Sequence, residues 1–363
     1  MPLGKVPVPS PEAVLEALRS VEDPDLGRDV VSLGFVKRLE VEGGAVSFEL
    51  ELTTPACPMK DRLREACEAA ARSVPGVREV RIEVTARVRS AAPPGRTELL
   101  GVKNIVAVAS GKGGVGKSTV AANLAVALRE TGAAVGVLDA DVYGPSMAIL
   151  LGIEGQPGIG PDGKLVPLEG HGVRAMSMGM LVEGDRPVIW RGPMVHNLLQ
   201  QFVREVSWGE LDYLVVDLPP GTGDAQLSLS QILALSGAAI VTTPQDVSLI
   251  DARKGLQAFR HLGVPVLGIV ENMSYFLCPR CGERTEIFRH GGGKAASEAL
   301  GVPFLGEIPI DPRIAVGGDE GRPILVEAPD SPAARAYRAL AGKIAAELAK
   351  LGAGAEARGG SER

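Results

Sequence analysis

The chain has 363 residues, of which 45% are hydrophobic and 4% aromatic, and its formal net charge is -6. This length suffices for one large and one small domain, each with its own core. Acidic and basic residues are interspersed and no run of about 18 residues is continuously apolar, so the sequence predicts neither a nucleic-acid-binding nor a membrane-spanning protein. The N-terminus lacks the apolar core of a signal peptide, and we expect a cytoplasmic protein whose 4 cysteines serve metal or thiol chemistry rather than disulfides.

The beginning of the chain alternates between helical and strand periodicities, which predicts a small α+β domain over residues 1–88. The stretch Ala-Pro-Pro-Gly after it breaks both periodicities and marks residues 89–102 as a linker. The predicted helices are residues 11–21 and 57–74, and the predicted strands are residues 31–41, 45–53 and 77–86.

From residue 103 onward, short and almost continuously apolar runs alternate with helical stretches. Such strands are typical of a mostly parallel sheet with helices on both faces, so we expect an α/β domain over residues 103–350. The polar, glycine-rich residues 351–363 are predicted to form a flexible tail. The predicted strands are residues 105–110, 133–141, 212–219, 238–244, 264–272 and 302–310.

The stretch GKGGVGKST follows the first of these strands and leads into a helical pattern. It matches the P-loop pattern G-x-x-x-x-G-K-[ST], whose glycines let backbone N–H groups turn toward phosphates at a helix N-terminus. We expect Lys117 to reach the β and γ phosphates and Ser118 to hold Mg²⁺, which predicts a site for ATP. The predicted phosphate site consists of Gly111, Lys112, Gly113, Gly114, Val115, Gly116, Lys117, Ser118 and Thr119.

Acidic residues end two further strands, at the sheet edge where open α/β proteins bind ligands. Asp217 is placed to bind a water on Mg²⁺, and the glycines Gly221 and Gly223 let the next loop approach the γ-phosphate. Asp139 and Asp141 follow the other strand, and either could orient an attacking water. For Asp139 a structural role as a helix or turn cap is the alternative.

A Cys-x-x-Cys pair, Cys278 and Cys281, lies in a loop after an apolar strand. Such a pair can belong to a zinc site, a redox dithiol or an iron-sulfur site. A redox dithiol usually opens a helix, which this loop does not favour. Zinc and a [4Fe-4S] cluster both need four thiolates, which two copies of the chain could supply, so ligand count leaves both open. His290 is set aside as a ligand because the glycines after it favour a turn.

The lysine inside the glycine run, Lys112, carries a resemblance to a known family. GKGGVGKST resembles the deviant-Walker P-loop ATPases, which include MinD, ParA and the nitrogenase iron protein. The resemblance implies a homodimer in which Lys112 reaches the partner's nucleotide. It also implies that Asp141 activates water and that Asp217 is the Walker B residue.

The motifs DADVYGPS, DLPPGTGD, TTPQ and ENMSYFLCPRCGER, in this order, narrow the resemblance to the Mrp/ApbC-type iron-sulfur cluster carriers. The resemblance implies that Cys278 and Cys281 of two subunits bind one bridging [4Fe-4S] cluster, and that Asn272 contacts the adenine. It also implies a slow ATPase coupled to cluster loading or transfer, with apo iron-sulfur proteins and cluster assembly scaffolds as partners. A MinD- or ParA-like positioning ATPase and a zinc-bridged ATPase scaffold are the alternatives.

The stretches SVEDPDLGRDVVSLGFV and TTPACPM resemble the SufT-like metal-sulfur cluster biosynthesis domain, in which Cys57 is the matching cysteine. Cys57 precedes Pro58 at the predicted start of a helix, where we expect the helix dipole to lower the pKa of its thiol and make it an accessory thiol. A small buried residue is the alternative. Cys67 lies on an apolar helical stripe and is predicted to belong to the core.

Overall fold

The computed structural model describes residues 8–92, 99, 101–141, 144–181, 200–202, 204–221, 229–230 and 232–359. These residues fall into two compact units. One contains the chain up to Arg89 and from Ala349 on, and the other is Ser90–Leu348. None of the described helices is long and apolar enough to cross a lipid bilayer.

The first unit contains a three-stranded sheet in the order β3-β4-β5, covered by two helices. The pair β3 and β4 is antiparallel, whereas β4 and β5 run parallel on either side of α2 in the sequence. Strand β4 alternates between buried and less buried residues, as its sequence predicts. Its elements are α1 (Pro11–Leu18), β1 (Glu22–Asp23), β2 (Arg28–Asp29), β3 (Val36–Glu42), β4 (Ala45–Leu52), α2 (Lys60–Arg72) and β5 (Glu79–Ala86).

The second unit is built around a sheet of eight strands in the described part of the chain, in the order β15-β12-β11-β6-β10-β7-β9-β8. All neighbours are parallel except the edge pair of β8 and β9. Its strands are β6 (Val102–Ser110), β7 (Val135–Asp139), β8 (Leu168–Gly170), β9 (Val173–Ser177), β10 (Leu211–Asp217), β11 (Gly237–Thr242), β12 (Val266–Glu271) and β15 (Phe304–Glu307).

A short hairpin and several helices complete this unit. The hairpin consists of β13 (Phe276–Leu277) and β14 (Arg284–Thr285), and it stands outside the main sheet. The helices are α3 (Lys117–Glu130), α4 (Met147–Leu150), α5 (Asp246–His261), α6 (Gly292–Leu300), α7 (Pro312–Asp319), α8 (Ile324–Glu327) and α9 (Pro332–Gly359).

The sheet brings together the carboxyl ends of the strands that carry the predicted nucleotide residues. Strand β6, which precedes the P-loop, lies between β10 and β11, and β7 lies beside β10. The strands β15, β12, β11, β6, β10 and β7 are the six predicted from the sequence. Burial on both faces explains why the five inner strands among them are almost continuously apolar. The mostly parallel α/β fold with a small α+β domain before it is therefore confirmed.

Two features differ from the sequence predictions. Strands β8 and β9 were not predicted, because they are only three and five residues long and lie at the edge of the sheet. The C-terminal helix α9 continues to Gly359, so residues 351–359 are helical instead of a flexible tail. Ala353, Ala355 and Ala357 favour the extra turns, since alanine is the strongest helix former.

Candidate functional site

The P-loop connects the end of β6 directly to the start of α3. Gly114 and Gly116 have φ angles of 78° and 80°, a left-handed conformation that glycine adopts without strain, and Gly116 caps α3. A Cβ atom built on Gly113 or Gly114 would meet no heavy atom within 4 Å. The loop therefore presents an open backbone surface at a helix N-terminus, which suits the phosphates of a nucleotide.

A buried charge network lies at the base of this loop. Lys117 Nζ donates to Asp217 Oδ1 at 2.6 Å and lies 3.7 Å from Asp141 Oδ2. The Ser118 hydroxyl donates to Asp217 Oδ2 at 2.6 Å. The hard oxygens of Ser118 and Asp217 are the kind that Mg²⁺ prefers, so the pair fits the predicted magnesium site.

Burial decides the protonation of the carboxylate in this network. Asp217 is fully buried, and this desolvation raises the pKa of its carboxyl to about 6. The ammonium of Lys117 opposes the rise, and the neighbouring Asp139 adds to it. The contact with the Lys117 ammonium therefore counteracts the burial and favours the charged form of Asp217.

Asp139 has a structural role, because its carboxylate accepts hydrogen bonds from neighbouring backbone and side-chain groups. Its Oδ2 accepts hydrogen bonds from the backbone N–H groups of Ser146 and Met147 and from the Ser177 hydroxyl, and its Oδ1 accepts from Asp141 N. It is completely buried, and this burial raises its pKa. The cap interpretation of Asp139 thus agrees with the structure, and Asp141 is left as the candidate for orienting water.

The remaining predicted P-loop residues are placed in different ways. Lys112 has no ion-pair partner among the described residues, although its carbonyl accepts from the Ser110 hydroxyl. Gly221 N donates to Ser110 O, which brings the loop after β10 beside the P-loop. Gly223 lies outside the described residues.

Asn272 makes a contact that the sequence did not predict. It follows β12, is 6% exposed, and its Nδ2 donates to the P-loop carbonyl of Val115 at 2.8 Å. A Cβ atom on Gly116 would lie 2.3 Å from the same nitrogen. Asn272 therefore packs against the P-loop backbone, and its contact with adenine stays a prediction.

The cysteine pair lies at the tip of the β13–β14 hairpin. Cys281 is exposed and Cys278 partly so. The backbone N–H groups of Cys281 and Arg280 point at Cys278 Sγ and lower the pKa of its thiol, and the Cys281 side chain adds to this effect. The turn is closed by hydrogen bonds from Gly282 N to Cys278 O and from Cys278 N to Glu283 O. Backbone donors around an accessible sulfur favour thiolate, the form that binds metals.

His290, which the sequence analysis sets aside as a ligand, contacts carboxylates instead of the cysteine pair. Its Nε2 lies 2.9 Å from Glu307 Oε1 and its Nδ1 lies 3.6 Å from Glu286.

Glu271, which sequence reasoning missed, is a fully buried carboxylate at the end of β12. It accepts hydrogen bonds from Ser274, Gly291 and Gly293 and so fixes the start of α6. A charged residue closing an apolar strand is the only signal in the sequence that points to it.

The small unit contains the other two cysteines, and one prediction about them is wrong. Cys67 is completely buried in the core, as predicted. Cys57 lies in a turn before α2, which begins only at Lys60. Burial raises the pKa of the Cys57 thiol, and the carboxylates of Asp23 and Asp25 add to the rise, while the Met59 N–H opposes it. The expected lowering by the helix dipole is therefore outweighed by desolvation.

Comparisons with known proteins agree with this site. Residues 101–345 match the family described as NUBPL iron-transfer P-loop NTPase, and residues 11–84 match the family described as iron-sulfur cluster assembly protein. An iron-sulfur cluster carrier protein of Synechocystis is 51% identical over 343 residues, covering 93% of this chain and 97% of the relative.

Two solved structures are similar to the second unit. A nucleotide-binding protein of Archaeoglobus fulgidus, solved in complex with ADP, has a TM-score of 0.57 at 41% identity. The match covers 64% of this chain and 91% of the Archaeoglobus chain. The cell division ATPase MinD of Pyrococcus furiosus has a TM-score of 0.52 at 26% identity and covers 66% of this chain and 98% of its own. The chain belongs to the family of iron-transfer P-loop NTPases of the ParA/MinD type that includes the iron-sulfur cluster carrier proteins.

Proposed function

We propose that this protein binds and hydrolyses ATP and holds a [4Fe-4S] cluster between two copies of the chain. It receives the cluster from cluster assembly scaffolds and transfers it to apo iron-sulfur proteins. The observation that carries the proposal is the accessible thiol of Cys278, which receives backbone N–H groups at its sulfur, in the same unit as a complete P-loop. The similar protein of Archaeoglobus fulgidus was solved with ADP, which supports a nucleotide at this P-loop. We place the protein in the cytoplasm, as the sequence predicts.

The nucleotide roles follow from the buried network. Lys117 neutralises the phosphates, and Ser118 and Asp217 hold Mg²⁺, which supplies charge for the transferred phosphoryl group. Asp141 lies 3.7 Å from Lys117 and orients the attacking water. Lys112 has no ion-pair partner among the described residues of its own chain, which supports a role at the nucleotide of a second copy.

The cluster is cargo, and its ligands favour a homodimer. A [4Fe-4S] cluster takes four thiolates, whereas each hairpin offers Cys278 and Cys281. Two hairpins supply the full set, and their exposure leaves the cluster open to an acceptor's thiolates. Cys57 has a raised thiol pKa, and we assign it no ligand role in the bridging site.

The same thiolates also suit zinc, so a zinc-bridged ATPase scaffold is the second candidate function. The deciding experiment is anaerobic reconstitution of the full chain with iron and sulfide, followed by measurement of iron and sulfide content and of the visible spectrum. We expect four iron and four sulfide per dimer, as a [4Fe-4S] cluster requires, with broad absorption near about 400 nm.

A matched pair of variants makes the test specific. The double variant Cys278→Ala, Cys281→Ala should bind no cluster, whereas Cys57→Ala should bind as much as wild type. Equal iron and sulfide in the double variant would refute the bridging ligands. Tight binding of colourless zinc with no reconstitution would favour the scaffold.

A further inference from the structure

Asn272 connects the P-loop to the segment that leads to the cysteine pair. Its amide Nδ2 donates to Val115 O at 2.8 Å, across 157 residues of sequence. Gly116 leaves space for this amide, because a Cβ atom there would lie 2.3 Å from Nδ2. The amide is almost completely buried, so a P-loop that moved away would leave its donor without water as a substitute.

The chain from Asn272 to Cys278, which we name the linking segment, is held along its length. Ser274 N donates to Ile308 O at 3.0 Å, and Ile310 N donates to Tyr275 O at 2.7 Å. The segment then continues as β13, and Cys278 directly follows the last residue of this strand. These backbone hydrogen bonds to residues 308–310 leave the linking segment little freedom to absorb a displacement.

Two further features fix the start of the linking segment. The buried carboxylate of Glu271 accepts from the Ser274 hydroxyl at 2.6 Å and from Gly291 N at 3.1 Å. Met273 has a φ angle of 55°, a left-handed conformation that is strained for a residue other than glycine. Such a conformation persists only where its surroundings determine it, so the path between P-loop and hairpin is a built feature of the fold.

We infer that Asn272 is a positioning residue that transmits the conformation of the P-loop to Cys278. Phosphates turn the P-loop N–H groups inward and thereby reorient its carbonyls, including that of Val115. The Asn272 amide follows this carbonyl or loses its bond, and the linking segment carries the change to the hairpin. The inference rests on the proposed function and on the coupling of ATP hydrolysis to cluster loading or transfer that the resemblance in the sequence implies.

This role differs from an adenine contact in the part of the ligand to which Asn272 responds, which is the phosphates and not the base. A residue that reads the base responds only to a nucleoside phosphate. A residue that reads the Val115 carbonyl responds to any polyphosphate that fills the P-loop. Inorganic tripolyphosphate with Mg²⁺ therefore separates the two.

The experiment measures the alkylation rate of Cys278 by iodoacetamide in the metal-free full chain, resolved by peptide mass spectrometry. The rate is compared without ligand, with saturating Mg-ATP and with saturating Mg-tripolyphosphate. We expect both ligands to change the wild-type rate by about fivefold or more, the lower end of common coupling between sites.

Two variants test the route. Asn272→Asp places a carboxylate oxygen against Val115 O, so we expect the rate of Cys278 to become independent of both ligands at saturation. Asn123→Asp is the matched control. Asn123 Nδ2 also donates to a carbonyl, Thr119 O at 2.9 Å, while its Oδ1 accepts from Ile324 N, and its loss should leave the ligand response intact.

The outcomes separate the inference from the function on which it rests. If neither Mg-ATP nor Mg-tripolyphosphate changes the alkylation rate of wild-type Cys278, the coupling between ATP and the cluster ligands is refuted. A normal response in Asn272→Asp, or in Asn272→Ala if the first variant does not fold, would overturn the inference alone. A wild-type response to Mg-ATP without any response to Mg-tripolyphosphate would also overturn it, and this arm needs no variant.

Discussion

The P-loop and the cysteine hairpin differ in how much of each site one chain supplies. At the P-loop, Lys117 and the half-buried Ser118 at the start of α3 both contact the buried Asp217 at the end of β10. The hairpin offers two thiols near solvent and no further thiol beside them in the described part of the chain. The charged side chains of the P-loop site are in contact before a ligand arrives, whereas the proposed cluster site needs thiolates from a second copy of the chain.

This difference has a physical cause. Catalysis at the phosphates benefits from charged side chains that are held in place, because reorganising charges during the reaction costs rate. A carrier must instead release its cargo, so a cluster with buried and complete ligation could not be passed to an acceptor. The two lysines of the P-loop therefore differ in their contacts, since Lys117 pairs with Asp217 and Lys112 has no ion-pair partner among the described residues.

The largest expected effect therefore separates the two lysines. Lys117→Ala should reduce ATP hydrolysis by about 100-fold or more, and removing one partner of a buried pair should lower the free energy of unfolding of the nucleotide-free protein by about 3 kcal/mol. Lys112→Ala should reduce hydrolysis similarly but change that free energy by less than about 0.5 kcal/mol. Steady-state hydrolysis and urea denaturation measure the two quantities.

Mixing the two lysine variants tests the assignment further. In a mixed dimer, the chain with intact Lys117 would receive Lys112 from its partner, so part of the activity should return. Two inactive variants that stay inactive together would show that Lys112 acts within its own chain.

The next effect concerns pH and sharpens the role of burial at the P-loop. Burial raises the pKa of Asp217 from 3.8 to about 6. In the nucleotide-free protein the folded state therefore binds more protons than the unfolded state between these values, and this contribution to stability is lost as pH rises through about 6. Magnesium needs the ionised carboxylate, so the Kd of Mg-ATP should rise by about tenfold per pH unit below pH 6.

Calorimetric titration of Mg-ATP at several pH values measures this dependence. Asp217→Asn should bind weakly with no such slope. Asp212, at the other end of β10, pairs with Lys103 at 2.7 Å, and Asp212→Asn should keep the wild-type slope. A wild-type Kd that is constant from above pH 6 to below it would mean that Asp217 does not gain its proton in this range.

The sequence predicted what is local or periodic. The P-loop was recognisable because its strand, loop and helix are contiguous, and the central strands because burial on both faces makes them continuously apolar. The contact between Asn272 and Val115 was not, because it joins residues 157 positions apart. The spacing of apolar residues along a sequence does not indicate contacts between residues so far apart.

The thiols show the same limit. A turn before a helix predicted a lowered pKa for Cys57, but the surroundings that bury it come from distant parts of the small unit. For Cys278 the backbone donors come from Arg280 and Cys281, so the environment of its thiol is local in the sequence. Asp139 lies between these cases, since its cap partners are near in sequence except Ser177.

The smallest expected effect tests how tightly the start of the P-loop packs against α5 in the nucleotide-free protein. A Cβ atom on Gly111 would lie 2.2 Å from the backbone carbonyl carbon of Asp251 in α5, whereas one on Gly113 would meet nothing within 4 Å. Gly111→Ala should therefore lower the free energy of unfolding of the nucleotide-free protein by about 1–3 kcal/mol, as overpacking does. Gly113→Ala should change it by less than about 0.5 kcal/mol. Equal stability of the two variants in urea denaturation would show that α5 can move away from Gly111, so that this contact does not hold the start of the P-loop in place.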